Sequence, residues 1–237
     1  MTSFSLPTIA KILNSRRGLS KMPPILYMTD EIRKPNPIPD INNLIPGSGV
    51  IFRHYTLKSR FELGNKVKHA CRKNGCLFIV AGDASLAVKL NADGLHLPEY
   101  LALSRSLKAR LWRQKPYKIL TAAAHCQTSL MTCMALPVDA ALLSPVFPTN
   151  SHLNHTNLGV LKFQKLAEQA KVEVYALGGV NNKNAIIYFN LNLNVKKINI
   201  QIIINVLRKF DLSPIKNETK IKIKDAKKIY KKFLLNL

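Results

Sequence analysis

The sequence predicts an α/β fold: a (β/α)8 TIM barrel whose eighth strand and C-terminal closure are degenerate. Three observations carry this. Short apolar runs alternate with helical patterns seven times between residues 25 and 179, and right-handed βα units repeated in this way close into a barrel. The 237 residues suit one such domain, since barrels of this type take about 250. No Gly-x-Gly-x-x-Gly follows a predicted strand, which counts against an open doubly wound sheet.

The first strand is placed at 25–30 and ends in the polar pair Thr29-Asp30. Pro35, Pro37 and Pro39 then favour extended backbone over helix. The second strand, 50–55, delivers Arg53, His54 and Tyr55 at its carboxyl end. A basic helix over 59–73 follows, with Ser59 as its N-cap and Gly75 as its stop. The third strand, 77–81, is closed by Gly82-Asp83. Asp83 also suits the cap of a helix over 84–90. The fourth strand, 93–97, precedes Pro98-Glu99 and a helix over 101–112. The fifth, 117–123, leads to Ala124-His125-Cys126 and a helix over 128–135.

The sixth strand is the apolar run 140–143, closed by Ser144-Pro145, the signature of a buried parallel strand. It feeds a polar loop holding Thr149, Asn150, Ser151, His152, Asn154 and His155. A helix over 160–171 and a seventh strand over 172–177, ending in Gly178-Gly179, complete the regular part. Beyond Asn190, alternation suggests a makeshift eighth strand over 197–204. A basic helix over 225–237 carries Ile229, Phe233 and Leu234 at helical spacing. The domain reading is therefore a basic leader over 1–24, a barrel over 25–207 and a basic tail over 208–237.

Hydrophobic content of 47% is ample for a core, and no apolar run approaches the span of a bilayer. The four cysteines form no Cys-x-x-Cys pair and no zinc set, so they read as reduced thiols of a cytoplasmic protein. The net charge of +23 has two readings. One is attraction to nucleic acid or an anionic membrane. The other is compositional drift toward Lys, Asn and Ile, and it is favoured because no basic stripe with interleaved aromatics appears. The leader, with Lys11, Arg16, Arg17 and Lys21 and no acid before Asp30, reads as a transit peptide or as a segment covering the barrel bottom.

Arg53, Asp83, Glu99, His125, Thr149, Ser151, His152 and Gly178-Gly179 all fall at or just after strand carboxyl ends, which share one face in a barrel. Arginine forks onto phosphate oxygens. Aspartate holds a hard cation through oxygen. Paired glycines let backbone N–H groups approach a phosphate. The set suits a phosphate or diphosphate ligand with a divalent metal. Other readings stay open: Asp83 as a helix cap alone, His96 as a barrel-lining residue, Tyr55 as packing, and His152 as a solvated loop residue.

At these residues the sequence resembles the thiamine phosphate synthase/TenI family. The matching pieces are Leu26-Tyr-Met-Thr-Asp30, Val50-Ile-Phe-Arg53, Gly82-Asp83 with Ala87, and Ala92-Asp-Gly-Leu-His-Leu97. They continue with Ala124-His125, Ser144-Pro-Val-Phe-Pro-Thr149, Leu158-Gly159 and Ala176-Leu-Gly-Gly-Val180. The resemblance implies a transferase of thiamine biosynthesis. It would join hydroxymethylpyrimidine diphosphate to thiazole phosphate and release diphosphate, with Mg2+ as cofactor. Carried over, Arg53 contacts the diphosphate and Asp83 ligates Mg2+, with Glu99 standing in as a second metal residue. Thr149, Ser151 and His152 line the phosphate loop, and Gly178 and Gly179 offer N–H groups to the thiazole phosphate. Tyr55 joins the substrate-binding set, and His125 joins Arg53 as catalytic. The expected partners are phosphorylated small molecules; neither membrane nor nucleic acid is expected, and a homo-oligomer is compatible.

The sequence departs from the family pattern at definite places. Tyr55 stands where the family has a second-strand lysine, and Gly82 where it has asparagine. Leu101 stands near a second metal aspartate, Ala123 at a fifth-strand serine and His152 at a loop lysine. Each lost contact to a departing diphosphate costs about 2–4 kcal/mol of transition-state stabilisation. The alternative expectation is therefore a non-catalytic TenI-like barrel that binds a phosphorylated ligand.

Overall fold

The computed structural model describes residues 22–104, 111–112, 114, 117–149, 157–181, 184 and 200–204. Eight parallel strands close a barrel in sequence order. They are β1 (Ile25–Met28), β2 (Gly49–Phe52), β3 (Leu77–Ala81), β4 (Gly94–Leu97), β5 (Ile119–Ala124), β6 (Ala140–Leu143), β7 (Glu173–Ala176) and β8 (Ile200–Ile204). The makeshift strand placed at 197–204 appears as β8. It pairs three residues with β7 and three with β1, as many as β1 pairs with β2. The leader (residues 1–21) and the tail beyond residue 204 lie outside the described residues.

Strand alternation divides the apolar residues into two layers. Leu26, Met28, Ile51, Ile79, Leu142 and Tyr175 fill the barrel interior. Their neighbours, Tyr27, Val50, Phe52, Phe78, Val80 and Leu143 among them, face outward and pack with the helices. The described helices are α1 (Ile38–Asn42), α2 (Arg60–Lys73), α3 (Ala84–Lys89), α4 (Glu99–Leu103), α5 (Gln127–Met134) and α6 (Gly159–Gln169). Inside the barrel, the Tyr175 hydroxyl donates to the Pro23 carbonyl, filling the end opposite the strand carboxyl termini. No helix among the described residues is long and apolar enough to cross a membrane.

Four local expectations are corrected. The proline segment is not wholly extended: Pro37 is the N-cap of α1 and Pro39 lies in its first turn, where a backbone N–H has no intrahelical partner to lose. The second strand stops at Phe52 rather than Tyr55, because the Arg53 N–H is taken at 2.9 Å by the Thr29 side-chain hydroxyl instead of a ladder carbonyl. Ser59 occupies the N-cap position of α2, but its side chain makes no capping bond. The helix expected over 101–112 begins at Glu99, and its described first part ends at Leu103.

Candidate active site

A cavity of about 510 Å³ opens at the strand carboxyl ends, within the range of small-molecule sites. Of the residues expected from sequence, it is lined by Arg53, Tyr55, Glu99, His125, Thr149 and Gly178. Asp30, Ile32, Arg33, His96 and Ser144 also line it. Asp83 and Gly179 are not among the lining residues. Ser151 and His152 lie outside the described residues.

Arg53 is fixed from below. Its Nε donates to the Thr29 carbonyl at 3.0 Å, and its Nη2 lies 3.8 Å from Asp30 Oδ2. Asp30 in turn caps the turn after β1. Its Oδ1 accepts the N–H groups of Ile32 at 3.1 Å and Arg33 at 2.9 Å. His54, 1% exposed, stacks on Phe52 with ring centroids 5.2 Å apart. Burial lowers its pKa.

Glu99 opens α4, and its Oε1 accepts the His125 N–H at 3.1 Å. The ring of His125 places Nδ1 3.1 Å from the Ser144 carbonyl and 3.0 Å from the Ser144 hydroxyl. A carbonyl only accepts, so Nδ1 carries a proton. His96 projects inward from β4, 2% exposed, with Nδ1 2.9 Å from Thr121 Oγ1. Burial, helped by the positive Arg53 and by His125, pushes its pKa down to about 3. It therefore presents a neutral imidazole at the cavity floor.

Asp83 sits just outside, at the N-cap of α3, where Oδ1 accepts the Leu86 N–H at 2.9 Å. Its Oδ2 lies 3.9 Å from Arg60 Nη1. Arg60 donates to the Ala81 carbonyl at 2.6 Å and lies 5.4 Å from the centre of the Tyr55 ring and 5.6 Å from that of Phe52. Tyr55 therefore covers a guanidinium rather than offering a cation itself. Among the described residues, no group of three His, Cys, Asp or Glu side chains could hold a metal ion. A cation that also binds substrate phosphates needs only one or two carboxylates. Gly82 lies against Pro98, so Asp83 and Glu99 leave adjacent strands at the same level. They are the two carboxylates that could hold such an ion, Glu99 from the cavity lining and Asp83 from outside it, where the α3 cap and Arg60 engage it.

The loop after β6 rests on the end of β7. Val146 and Phe147 donate to the carbonyls of Leu177 and Gly178 at 2.9 and 3.0 Å. Gly178 and Gly179 have φ of +89° and +69°, and the loop leaves no room above them. A Cβ on Gly178 would stand 2.8 Å from Pro145 Cα, and one on Gly179 would stand 2.5 Å from the Pro148 carbonyl oxygen.

Asp30, Ile32 and Arg33 were not among the expected site residues. Asp30 carried one signal, its place at the end of a predicted strand. Arg33 carried none, since it lies in a segment read only for its prolines.

A closed parallel barrel with a polar cavity at its strand carboxyl ends has the layout of a small-molecule enzyme of this fold. A family profile described as "Thiamine monophosphate synthase" matches residues 46–194. The chain belongs to this family. It is 30% identical over 133 residues to "Putative thiamine-phosphate synthase 2" of Aquifex aeolicus, covering 55% of this chain and 69% of that protein. It is 27% identical over 168 residues to a thiamine-phosphate synthase of Prochlorococcus marinus, covering 67% of this chain and 45% of that protein. Thus the match takes in less than half of the Prochlorococcus relative's length. A thiamine phosphate pyrophosphorylase from Pyrococcus furiosus superposes with a TM-score of 0.60 at 20% identity, over 78% of this chain and 86% of that one. That likeness concerns the fold.

Proposed function

We propose that the chain is a thiamine phosphate synthase: a transferase that joins hydroxymethylpyrimidine diphosphate to thiazole phosphate and releases diphosphate. The observation that carries this reading is the gathering of Arg53, Arg33, Glu99, His125 and Thr149 around one cavity in a chain of this family. In the reaction, the bond between the pyrimidine methylene carbon and the diphosphate oxygen breaks, and its electron pair leaves with the diphosphate. The thiazole nitrogen then gives its lone pair to the methylene carbon. Arg53 receives charge as it develops on the leaving group, and it is preorganised for this by Thr29 and Asp30. His125, held by Ser144, and the neutral His96 border the space for the heterocycles. Gly178 brings backbone close to the second substrate's phosphate. A Mg2+ ion would be held by Glu99 and Asp83 and would neutralise diphosphate charge.

Product formation from both substrates with Mg2+ tests this reading, with Arg53→Ala alongside. Thiamine phosphate made by the wild type and lost in the variant is the expected result. A second reading, a barrel that binds the phosphorylated ligand without turnover, draws on Tyr55, whose ring packs over Arg60 where the family pattern has a lysine. Binding of the pyrimidine diphosphate with no product would favour it.

A further inference from the structure

We infer that Asp40, a buried carboxylate outside the cavity, is a positioning residue: through Lys34 it holds the loop after β1 in the shape that sets Asp30, Ile32 and Arg33 at the cavity mouth. The inference deepens the proposed function and rests on it for the identity of the ligand.

Asp40 is 6% exposed and Tyr27 is wholly buried. Neither is among the residues that line the cavity. The carboxylate divides its two oxygens between two parts of the fold. Oδ2 accepts the Tyr27 hydroxyl of β1 at 3.0 Å. Burial, with Asp40 beside it, pushes the Tyr27 phenol up, so it stays a donor. Oδ1 accepts Lys34 Nζ, also at 3.0 Å. A charge buried this deeply needs such partners, which fixes the place of the lysine.

Asp40 stands on a rigid base. It lies in the first turn of α1, whose Ile41 is fully buried. Asn74, at the C-cap of α2, donates to the Ile41 carbonyl at 3.3 Å and to Asn42 Oδ1 at 3.1 Å. The loop that bears Lys34 has two ties to the loop after β2. Glu31 accepts from the Thr56 N–H and hydroxyl, and the Pro35 carbonyl accepts from His54. Between these ties, the Lys34 N–H closes a turn on the Asp30 carbonyl at 2.9 Å. The Lys34 ammonium fastens that turn to α1. The turn carries Ile32 and Arg33, which line the cavity, so Asp40 acts on a ligand through the turn alone.

The test reads the loop and the ligand separately. Amide hydrogen exchange over residues 31–36 of the purified full chain, without ligand, reports the loop. Calorimetric binding of hydroxymethylpyrimidine diphosphate with Mg2+, without thiazole phosphate, reports the site. Asp40→Asn keeps an oxygen for Tyr27 and loses the hold on Lys34. Lys34→Gln loses the same hold from the other side. Both should speed exchange over 31–36 and weaken binding about fivefold or more. The two variants change the charge in opposite senses, so a purely electrostatic effect on an anionic ligand would tighten one and weaken the other. Tyr27→Phe removes only the link to β1. It should lower the melting temperature and leave loop exchange and affinity unchanged. Folded Asp40→Asn and Lys34→Gln variants whose loop exchange matches the wild type would overturn the inference. So would affinities that shift in opposite directions, or a Tyr27→Phe variant that weakens binding as much as Asp40→Asn. Faster loop exchange in a chain that makes no thiamine phosphate would remove the proposed function and leave the positioning role standing. Full activity, with loop exchange and KM indifferent to Asp40→Asn and Lys34→Gln, would do the reverse.

Discussion

The Thr29 hydroxyl lies 3.0 Å from His54 Nδ1. The Pro35 carbonyl beside Nε2 can only accept, so Nε2 carries the ring proton and Nδ1 accepts from Thr29. The same hydroxyl then receives the Arg53 N–H at 2.9 Å. One small side chain thereby sets the end of β1, the end of β2 and, through His54, the loop that presents Arg33.

Thr29→Val removes that hydroxyl at nearly constant shape. The Arg53 N–H and His54 Nδ1 lose their partners in buried surroundings. The expected cost is about 1–3 kcal/mol, read as a lower urea midpoint with an unchanged slope. Thr29→Ser should recover most of it. Affinity for the diphosphate substrate should fall with Val and return with Ser.

Acid should weaken the fold in a defined window. Burial lowers the pKa of both His54 and His96, the latter to about 3, whereas unfolded imidazoles titrate near 6.5. Both rings are neutral in the fold and charge more readily in the unfolded chain. Their contribution is complete above about pH 6.5 and is lost as pH falls toward the folded values. For His96 the slope approaches about 1.4 kcal/mol per pH unit, and His54 acts in the same direction. Glu31, whose pKa the Thr56 side chain lowers from 4.5, acts below that value and outside the upper part of the window. Denaturant melts between pH 6.5 and 5 should show the slope, and His96→Gln should reduce it by about one proton's worth.

Gly179→Ala forces a side chain into left-handed backbone at φ +69°, with its Cβ 2.5 Å from the Pro148 carbonyl oxygen and 2.7 Å from Phe147 Cβ. Strain and overpacking together should cost about 2–5 kcal/mol. Because the displaced groups belong to the loop bearing Thr149, substrate affinity should fall as well. Thermal melts and titration with thiazole phosphate check the two effects separately.

The opposite end of the barrel carries two matching aspartates. Asp93 Oδ2 accepts the Phe78 N–H and Asp139 Oδ2 accepts the Leu120 N–H, each at 2.8 Å. Each carboxylate replaces a ladder acceptor at the start of a neighbouring strand. Asp93→Ala and Asp139→Ala should each lose about 1.5–3 kcal/mol without altering substrate KM. A shift in KM with either would contradict the division between a stabilising bottom and a functional top.

These contrasts show what the sequence carries. The strands over 77–81 and 140–143 were legible to the residue because strands buried on both faces are short, unbroken apolar runs. The end of the second strand was not, since no Gly or Pro interrupts the run from Val50 through Tyr55 while the Arg53 N–H has already turned to a side chain. Helix α1 was hidden by its prolines, which mark a first turn as readily as an extended segment. In the site, Arg53, Glu99 and His125 could be read from their place after strand ends. Arg33 could not, because its role depends on Asp30 lying between two loops that only the β1–β2 pairing brings together. Asp83 was legible as a helix cap and as a carboxylate at a strand end. The structure places it at the cap, beside Arg60.

The most direct measurement is the release of inorganic diphosphate by the purified chain given hydroxymethylpyrimidine diphosphate, thiazole phosphate and Mg2+, with thiamine phosphate followed in the same samples. The account predicts diphosphate and thiamine phosphate in equal amounts, both abolished by Arg53→Ala. Protein that is folded and binds the pyrimidine diphosphate, yet releases no diphosphate, would contradict it.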